Sequence, residues 1–263
     1  MLIFLKLGGS LITDKSRPYR LRNENLARAS EQIARARKED PSLRILLGHG
    51  SGSFGHQAAS GHGTRAGVST PAQWQGFSEV WYRASELNRH VIDALRAAGL
   101  PAVTISPFAA VLAQQGRVKT WDIGPIVNSL EHELLPVIHG DVLFDSQLGG
   151  TILSTEELFV HLARLLRPER ILLAGLEPGI WADFPARRQL LQEIHSADAG
   201  ELGVHLTDSG SVDVTGGMRE KVKLMLPLCE LSPAPEILIL SGEKTDNIHS
   251  ALMGQNPGTR LSR

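Results

Sequence analysis

Six short apolar runs, each long enough for one β-strand, recur along this sequence of 263 residues. They are rich in Ile, Leu and Val and lie at 2–7, 44–49, 101–106, 135–139, 170–175 and 236–241. Helical patterns lie between or after them, at 23–38, 72–98, 106–115, 154–167, 217–230 and 244–253. Strands without polar alternation are buried on both faces, and strands that alternate with helices are typical of parallel sheets. The sequence therefore predicts an α/β fold with a largely parallel sheet covered on both faces.

The composition excludes several classes of protein. The 27 Lys and Arg residues balance 28 Asp and Glu residues, so no basic excess indicates a nucleic-acid partner. Cys229 is the only cysteine, which excludes disulfides within the chain and cysteine-based metal cages. No apolar run approaches a membrane span, and residues 1–5 lack the features of a signal peptide. We expect a cytoplasmic, enzyme-like protein with no membrane partner.

Glycine-rich turns follow the first two predicted strands. The first is Lys6-Leu-Gly8-Gly9-Ser10, and the second is His49-Gly-Ser51-Gly52-Ser-Phe-Gly-His56. Backbone N–H groups converge at such turns, and glycine lets a phosphate approach them closely. His56 adds a side chain that can bind or protonate a phosphate oxygen near neutral pH. Both turns indicate phosphate binding, although an ordinary turn after an edge-strand lysine remains the alternative at Lys6.

A third glycine turn, Thr215-Gly-Gly217-Met-Arg-Glu-Lys221, enters a predicted helix. Thr215 is a suitable N-cap, and Lys221 lies one turn into the helix, near its positive end. A polyphosphate would stabilise both the lysine and the helix end, whereas the alternative is a capped surface helix with a solvated lysine. The stretch 176–215 is polar and contains prolines, so a hairpin or loop excursion fits it better than core.

The motifs favour phosphoryl transfer without a P-loop. The sequence has no GxxxxGK[ST], no protein-kinase signature set, no GxSxG and no regular metal-ligand spacing. Phosphoryl transfer mainly requires positioning and positive charge, which Lys6, Lys15 and Lys221 can supply together with the glycine N–H groups. Lys15 alone would be a surface lysine. We expect a kinase with no metal site built from protein ligands.

The order of these motifs resembles the amino acid kinase superfamily over essentially the whole chain. The resemblance rests on Lys6–Ser10, the 48–56 turn, Pro136–Asp141 and Thr215–Lys221. Leu11-Ile-Thr-Asp-Lys15 and the ending Ser53-Phe-Gly-His56 are similar to the isopentenyl phosphate kinase branch in particular. The resemblance implies a three-layer αβα sandwich in one domain, 1–263, usually as a homodimer. Its acceptor-binding half would be 1–150 and its ATP-binding half 151–263.

The resemblance also implies roles for individual residues. Contacts with ATP are implied for Lys6, Gly8, Gly9, Ser10, Gly52, Gly217 and Lys221. Contacts with the phosphorylated acceptor are implied for Ser51, Gly52, His56 and Gly150. Lys15 would stabilise the transferring phosphoryl group, which completes a catalytic set of Lys6, Lys15, His56 and Lys221. The reaction implied is transfer of the ATP γ-phosphate to isopentenyl phosphate, with Mg²⁺ carried by the nucleotide.

Other residues leave choices open. Phe77 and Trp81 belong to an apolar stripe of a predicted helix, and such stripes are typical of core. The alternative is that both residues line a pocket for the acceptor tail. Asp141 follows a strand and is expected to organise the lysines or Mg²⁺-bound water. We assign no catalytic carboxylate within Ser154-Thr-Glu-Glu157, which departs from the pattern of the family.

Two further departures concern Ser51, which stands where Gly or Ala is usual, and the stretch 175–181, which lacks two aspartates. Two other functions remain as alternatives to phosphorylation of isopentenyl phosphate. One is a kinase of another small phosphate or phosphonate, similar to the fosfomycin-resistance kinases, and the other is a non-catalytic nucleotide-binding sensor.

Overall fold

An eight-stranded sheet forms the centre of the molecule in the computed structural model, which describes residues 1–60, 63–196 and 217–263. In spatial order its strands are β12 (Glu193–His195), β14 (Gly258–Ser262), β13 (Glu236–Ser241), β9 (Arg170–Gly175), β1 (Leu2–Leu7), β2 (Arg44–His49), β6 (Leu135–His139) and β3 (Ala102–Thr104). Neighbouring strands are parallel except β13 and β14. The predicted, mainly parallel sheet is confirmed.

The described helices cover this sheet. They are α1 (Gly9–Ile12), α2 (Asn23–Glu39), α3 (Gly52–Ser60), α4 (Pro71–Ala97), α5 (Pro107–Ala110), α6 (Gly124–Glu131), α7 (Thr155–Leu166), α8 (Gly217–Met225) and α9 (Asn247–Leu252). Short 3₁₀ turns at Thr64–Ala66 and Leu226–Glu230 supplement them. Capping boxes begin the two helices that matter most for the site, Thr70 with Gln73 at α4 and Ser154 with Glu157 at α7. Such a box fixes the first turn because it satisfies two otherwise unpaired N–H groups.

Two apolar cores lie on opposite faces of the sheet, which gives the three layers. Alternation along β1 shows the division, since Leu5 contributes to one core and Phe4 to the other. Leu95 of α4 packs in the first core, and Phe159 of α7 and Met225 of α8 pack in the second. Successive side chains of a strand point to opposite faces, so each buried strand supports both layers.

The predicted helix at 106–115 is wrong beyond its first turn. Only Pro107–Ala110 is helical, and the chain then forms a hairpin of β4 (Val111–Gln114) and β5 (Arg117–Trp121). Gln115 and Gly116 have φ values of 52° and 68°, the left-handed pair that a tight two-residue hairpin requires. The Asp145 carboxylate accepts hydrogen bonds from both of their N–H groups, at 3.1 and 2.8 Å. This stabilisation comes from a distant residue, so the local pattern did not reveal it.

A second, four-stranded sheet was also missed. Its order is β5-β4-β7-β8, where β7 is Asp141–Asp145 and β8 is Gly149–Leu153. The stretch 176–196 contains a hairpin of β10 (Ile180–Trp181) and β11 (Leu190–Leu191), as expected for this part of the chain. Thr215 and Gly216 lie outside the described residues. None of the helices within the described ranges is long and apolar enough to cross a membrane.

Candidate active site

Two glycine turns pack backbone against backbone where β1 and β2 end side by side. A Cβ on Gly9 would lie 2.6 Å from the Gly52 Cα, and a Cβ on Gly50 would lie 2.9 Å from the Gly9 nitrogen. Gly52 also has a φ of 51°. The Thr13 hydroxyl joins the turns because it donates to the Gly9 carbonyl (2.7 Å) and accepts from the Ser53 N–H (2.9 Å). Glycine is required here by the contact between the turns themselves.

A cavity of about 50 Å³ opens at the ends of these strands. It brings together the cationic residues predicted from three separate motifs and the residues of both turns. They are Lys6, Lys15, His56, Lys221, Gly9, Ser10, Gly50 and Ser51. Gly140 and the start of α7, Ser154 to Glu156, complete the wall. We call this cavity the central pocket. The carboxyl ends of parallel strands meet at one edge of the sheet, which explains why such distant motifs converge.

Glu156 is the functional candidate that the sequence did not reveal. Its Oε1 lies 3.1 Å from the Lys6 Nζ, and both side chains are buried. Burial alone would raise the pKa of Glu156, but the charges of Lys6 and Lys221 outweigh it and hold that pKa below its ordinary value. The carboxylate is therefore ionised, pairs with Lys6 and is attracted by the charge of Lys221. The sequence assigned no catalytic carboxylate within 154–157, and Glu156 is the residue there that lines the central pocket beside Lys6.

Asp141 does not take the place predicted for it. Its carboxylate accepts the Val142 N–H at 2.8 Å and lies 3.8 Å from the His139 Nδ1. Burial raises the pKa of Asp141 well above its ordinary value. The carboxylate beside Lys6 is that of Glu156, and the role expected of Asp141 stays a prediction.

A second cavity, of about 20 Å³, adjoins the central pocket on the side of His56. Besides Ser51, Gly55 and His56 it is lined by Ala59, Val80, Ala84, Gly140, Asp141 and Ile152. The lining that comes from α4 is therefore Val80 and Ala84. We call it the apolar cavity.

Phe77, Trp81 and Gly150 lie in a neighbouring aromatic cluster. The Phe77 ring covers Gly150 so closely that a Cβ there would lie 2.8 Å from it. Trp81 packs on Phe108 at 5.7 Å between ring centroids and is 37% exposed. The stripe on α4 thus divides, with Phe77 in a small core and Trp81 at the surface.

A third cavity, also about 20 Å³, lies on the opposite side of Lys6. Its lining comes from the end of β9, from α8 and from the first glycine turn, and includes Gly8, Gly175, Glu177 and Met218. Gly8 donates its N–H to the Ala174 carbonyl at 2.7 Å. Gly217, with a φ of 64°, begins α8. We call this the β9 cavity.

Three residues line both the central pocket and the β9 cavity: Lys6, Glu156 and Lys221. Two compartments that share a pair of lysines suit a reaction in which a group passes from one bound molecule to another. In the described part of the chain, no group of three or more His, Cys, Asp and Glu residues is arranged to hold a metal ion.

The sequence model of the amino acid kinase family matches residues 1–239. The chain belongs to the amino acid kinase family. Two curated relatives in this family are called isopentenyl phosphate kinase. The protein from Methanothermobacter thermautotrophicus is 35% identical over 99% of both chains. The protein from Methanocaldococcus jannaschii is 30% identical over 99% of this chain and 98% of its own.

Solved structures agree with this family assignment. A crystal structure of an isopentenyl phosphate kinase is 32% identical, covers 100% of both chains and superposes with a TM-score of 0.83. A substrate complex of another isopentenyl phosphate kinase has a TM-score of 0.77 at 24% identity, which supports the fold alone. The predicted fold and family resemblance are confirmed.

Proposed function

We propose that this protein is an ATP-dependent kinase that phosphorylates isopentenyl phosphate and releases isopentenyl diphosphate and ADP. The names of its relatives supply the substrate. The observation that carries the proposal is that Lys6, Lys221 and the buried Glu156 line both the central pocket and the β9 cavity. The acceptor phosphate would occupy the central pocket, and the nucleotide would extend into the β9 cavity.

The chemistry needs no strong general base. An oxygen of the acceptor phosphate, already ionised near neutral pH, attacks the γ-phosphorus in line. A bond from this oxygen to phosphorus forms, the bond to the β–γ bridging oxygen breaks, and its electron pair leaves on ADP. Two anionic phosphates must approach each other, so Lys6, Lys15 and Lys221 offset their repulsion. His56 would hold the acceptor phosphate.

The nucleotide contacts are also proposals. We assign Gly8, Gly9, Ser10 and Gly217 to the ATP phosphates, together with Lys6 and Lys221. Mg²⁺ would arrive with the nucleotide, since phosphate oxygens are its usual ligands in kinases. The isopentenyl tail would enter the apolar cavity between Val80, Ala84 and Ile152. A homodimeric state is inferred from the family resemblance and can be measured by sedimentation.

Initial rates of ADP release with a panel of acceptors test the substrate. We expect isopentenyl phosphate to be preferred over acetylglutamate, glutamate, carbamate and UMP. Preference for an amino acid or for a phosphonate such as fosfomycin would reject the assigned acceptor. ATP binding without turnover on any acceptor would identify a nucleotide sensor instead.

Two variants test the assigned roles. Lys15→Ala should lower kcat by about 100-fold or more with little change in the KM for ATP, because its charge acts on the transferring group. His56→Ala should raise the KM for the acceptor by about tenfold. Lys223→Ala and His132→Ala are matched controls at exposed positions and should leave both constants unchanged. An unchanged acceptor KM in His56→Ala would remove His56 from the site.

A further inference from the structure

Two buried histidines end neighbouring strands directly below the central pocket. His49 is the last residue of β2 and His139 the last residue of β6, and the two are partners in the parallel register. Their rings stack, with centroids 5.3 Å apart and planes inclined by 23°. His49 is 0% and His139 2% exposed. Neither ring has a role in the proposed reaction, although each is followed by a glycine of the pocket wall.

Each ring makes the same contact with the glycine that follows it. The His49 Nδ1 lies 3.1 Å from the Gly50 carbonyl oxygen, and the His139 Nδ1 lies 3.2 Å from the Gly140 carbonyl oxygen. Burial lowers the pKa of His49 to about 4 and that of His139 to about 3, so both are neutral near pH 7. A carbonyl oxygen only accepts, so the tautomer that makes this bond carries its proton on Nδ1.

The direction of these two carbonyls decides what the pocket presents to an anion. Glycine backbone torsions are weakly restricted, so each peptide after the glycine could turn its oxygen toward the pocket. An oxygen there would repel a phosphate. In a trans peptide the C=O and the next N–H point in opposite directions. The Gly50 carbonyl held by its ring therefore directs the N–H of Ser51, which lines the central pocket, the other way. Asp141 instead begins β7 and pairs with Leu153 of β8, so at Gly140 the ring only keeps the carbonyl oxygen out of the pocket.

The rings themselves are fixed by neighbouring elements. The His49 Nε2 lies 3.1 Å from the Oδ1 of Asn88 on α4, and the Asn88 Nδ2 donates to the Thr104 hydroxyl at 2.8 Å. A neutral His49 that donates from Nδ1 needs a donor at Nε2, so the Asn88 amide is inferred to be turned by 180°, with its NH₂ group toward Nε2 and its oxygen accepting from the Thr104 hydroxyl. The Thr155 hydroxyl donates to the His49 carbonyl at 2.6 Å. The stacked pair is thus anchored from α4 and α7.

We propose that His49 and His139 are positioning residues that hold the Gly50 and Gly140 carbonyls away from the central pocket, so that neither oxygen repels the acceptor phosphate and the Ser51 N–H can bind it. The inference rests on the proposed function in that it takes the central pocket to be the phosphate site. It assigns the histidines to binding of the acceptor phosphate and leaves binding of ATP unaffected.

Replacing each histidine by asparagine and by leucine separates the effect of losing its hydrogen bond from the effect of changing the side-chain volume. Asparagine places an N–H donor close to the position of Nδ1, whereas leucine fills space without a donor. His139→Leu should raise the KM for isopentenyl phosphate by about tenfold or more at an unchanged KM for ATP. His139→Asn should restore most of the loss. We expect the same order for His49→Leu and His49→Asn, with a smaller rescue because Asn88 loses its partner.

A merely structural role gives a different result. Leu95→Ala removes a buried side chain of α4 remote from the pocket and should lower the melting temperature with both KM values unchanged. If the leucine variants behave like Leu95→Ala, or if asparagine rescues nothing while the fold is retained, the inference is wrong.

Binding of inorganic phosphate by calorimetry distinguishes this failure from failure of the proposed function. Phosphate binding that is lost in His56→Ala is the binding that occurs at the acceptor site. If wild type binds phosphate there but does not phosphorylate isopentenyl phosphate, the proposed function fails, and the order wild type, asparagine, leucine in phosphate affinity still tests the positioning role. Equal phosphate affinity in all three overturns it.

Discussion

Glu156 and Glu157 are adjacent carboxylates in the first turn of α7 with opposite surroundings. Glu156 is buried, pairs with Lys6 and is attracted by the charge of Lys221. Glu157 accepts the N–H and hydroxyl of Ser154, at 2.6 and 2.7 Å, and pairs with Arg65 at 2.9 Å. Glu156 therefore belongs to the candidate active site, whereas Glu157 stabilises the start of α7.

Glu156→Gln should lower kcat by about 100-fold because it removes the charge that holds both lysines in place. Removing one partner of a buried ion pair also costs about 3–5 kcal/mol of stability, measurable by urea unfolding. Glu157→Gln is the matched control, since glutamine also serves in a capping box. Its kcat should stay within about twofold of wild type. Equal kinetics of the two variants would exclude a role for Glu156.

The sequence predicted the convergence of Lys6 and Lys221 because each adjoins a glycine turn, whereas Lys15 was placed with them by the family resemblance. Glu156 was not predicted because tertiary packing decides which residues of the sheet it contacts. The sequence places it in a first helical turn but does not show which strand end that turn faces. Phe77 and Trp81 illustrate the same limit: helical spacing predicts a shared stripe, whereas the second sheet decides which ring is covered.

At the scale of elements, the interlocked glycine turns fix the distance between α1 and α3. Gly9→Ala places a Cβ 2.6 Å from the backbone of Gly52, where no flexible side chain can move aside. The turns must separate, so we expect a loss of activity of about 100-fold or more, together with a lower urea midpoint.

Gly254→Ala is the matched control for this substitution. Gly254 has a φ of 91° but nothing within 4 Å of an added Cβ, so the change tests backbone strain without a collision. It should cost about 1–3 kcal/mol with unchanged kinetics. If Gly9→Ala retained full activity, the two turns would not need their close contact.

Strands and helices were predicted correctly where the apolar pattern of the sequence matches the burial of the side chains. All six predicted strands exist, and the long helix at 72–98 matches α4 within one residue at each end. The helices α1 and α6 and the strands β12 and β14 at one edge of the central sheet were not predicted. The other missed strands, β4, β5, β7 and β8, belong to the second sheet. Its strands are short and partly exposed, and Asp145 stabilises its turns from a distance, so no local apolar run marks them.

At the scale of the whole molecule, the buried histidine pair makes stability depend on pH. The folded-state pKa values, about 4 for His49 and about 3 for His139, lie below the ordinary value of 6.5. Below pH 6.5 the unfolded chain therefore binds more protons, and the free energy of unfolding falls as the pH drops toward 4. The limiting slope is about 1.4 kcal/mol per pH unit for each histidine.

Urea unfolding of wild type and His139→Asn between pH 7 and pH 4 checks this. Asp141, 3.8 Å from His139, has a raised pKa and opposes the trend, and Lys6 acts on His49. Both groups remain in the variant, so the difference between the two curves isolates His139. Wild type should lose stability more steeply, and parallel curves would contradict the burial of a neutral His139.

The position of β1 at the centre of the sheet has a consequence for synthesis. Leu2–Leu7 hydrogen-bonds to β2 on one side and to β9 on the other. During translation, β2 follows soon after β1, whereas β9 begins only at Arg170. At a translation rate of about 5–20 residues per second, β1 lacks its second neighbouring strand for roughly 8–30 s. One edge of this strand, apolar except for Lys6, stays open for that interval, so a nascent chain stalled before Arg170 should be a target for holding chaperones.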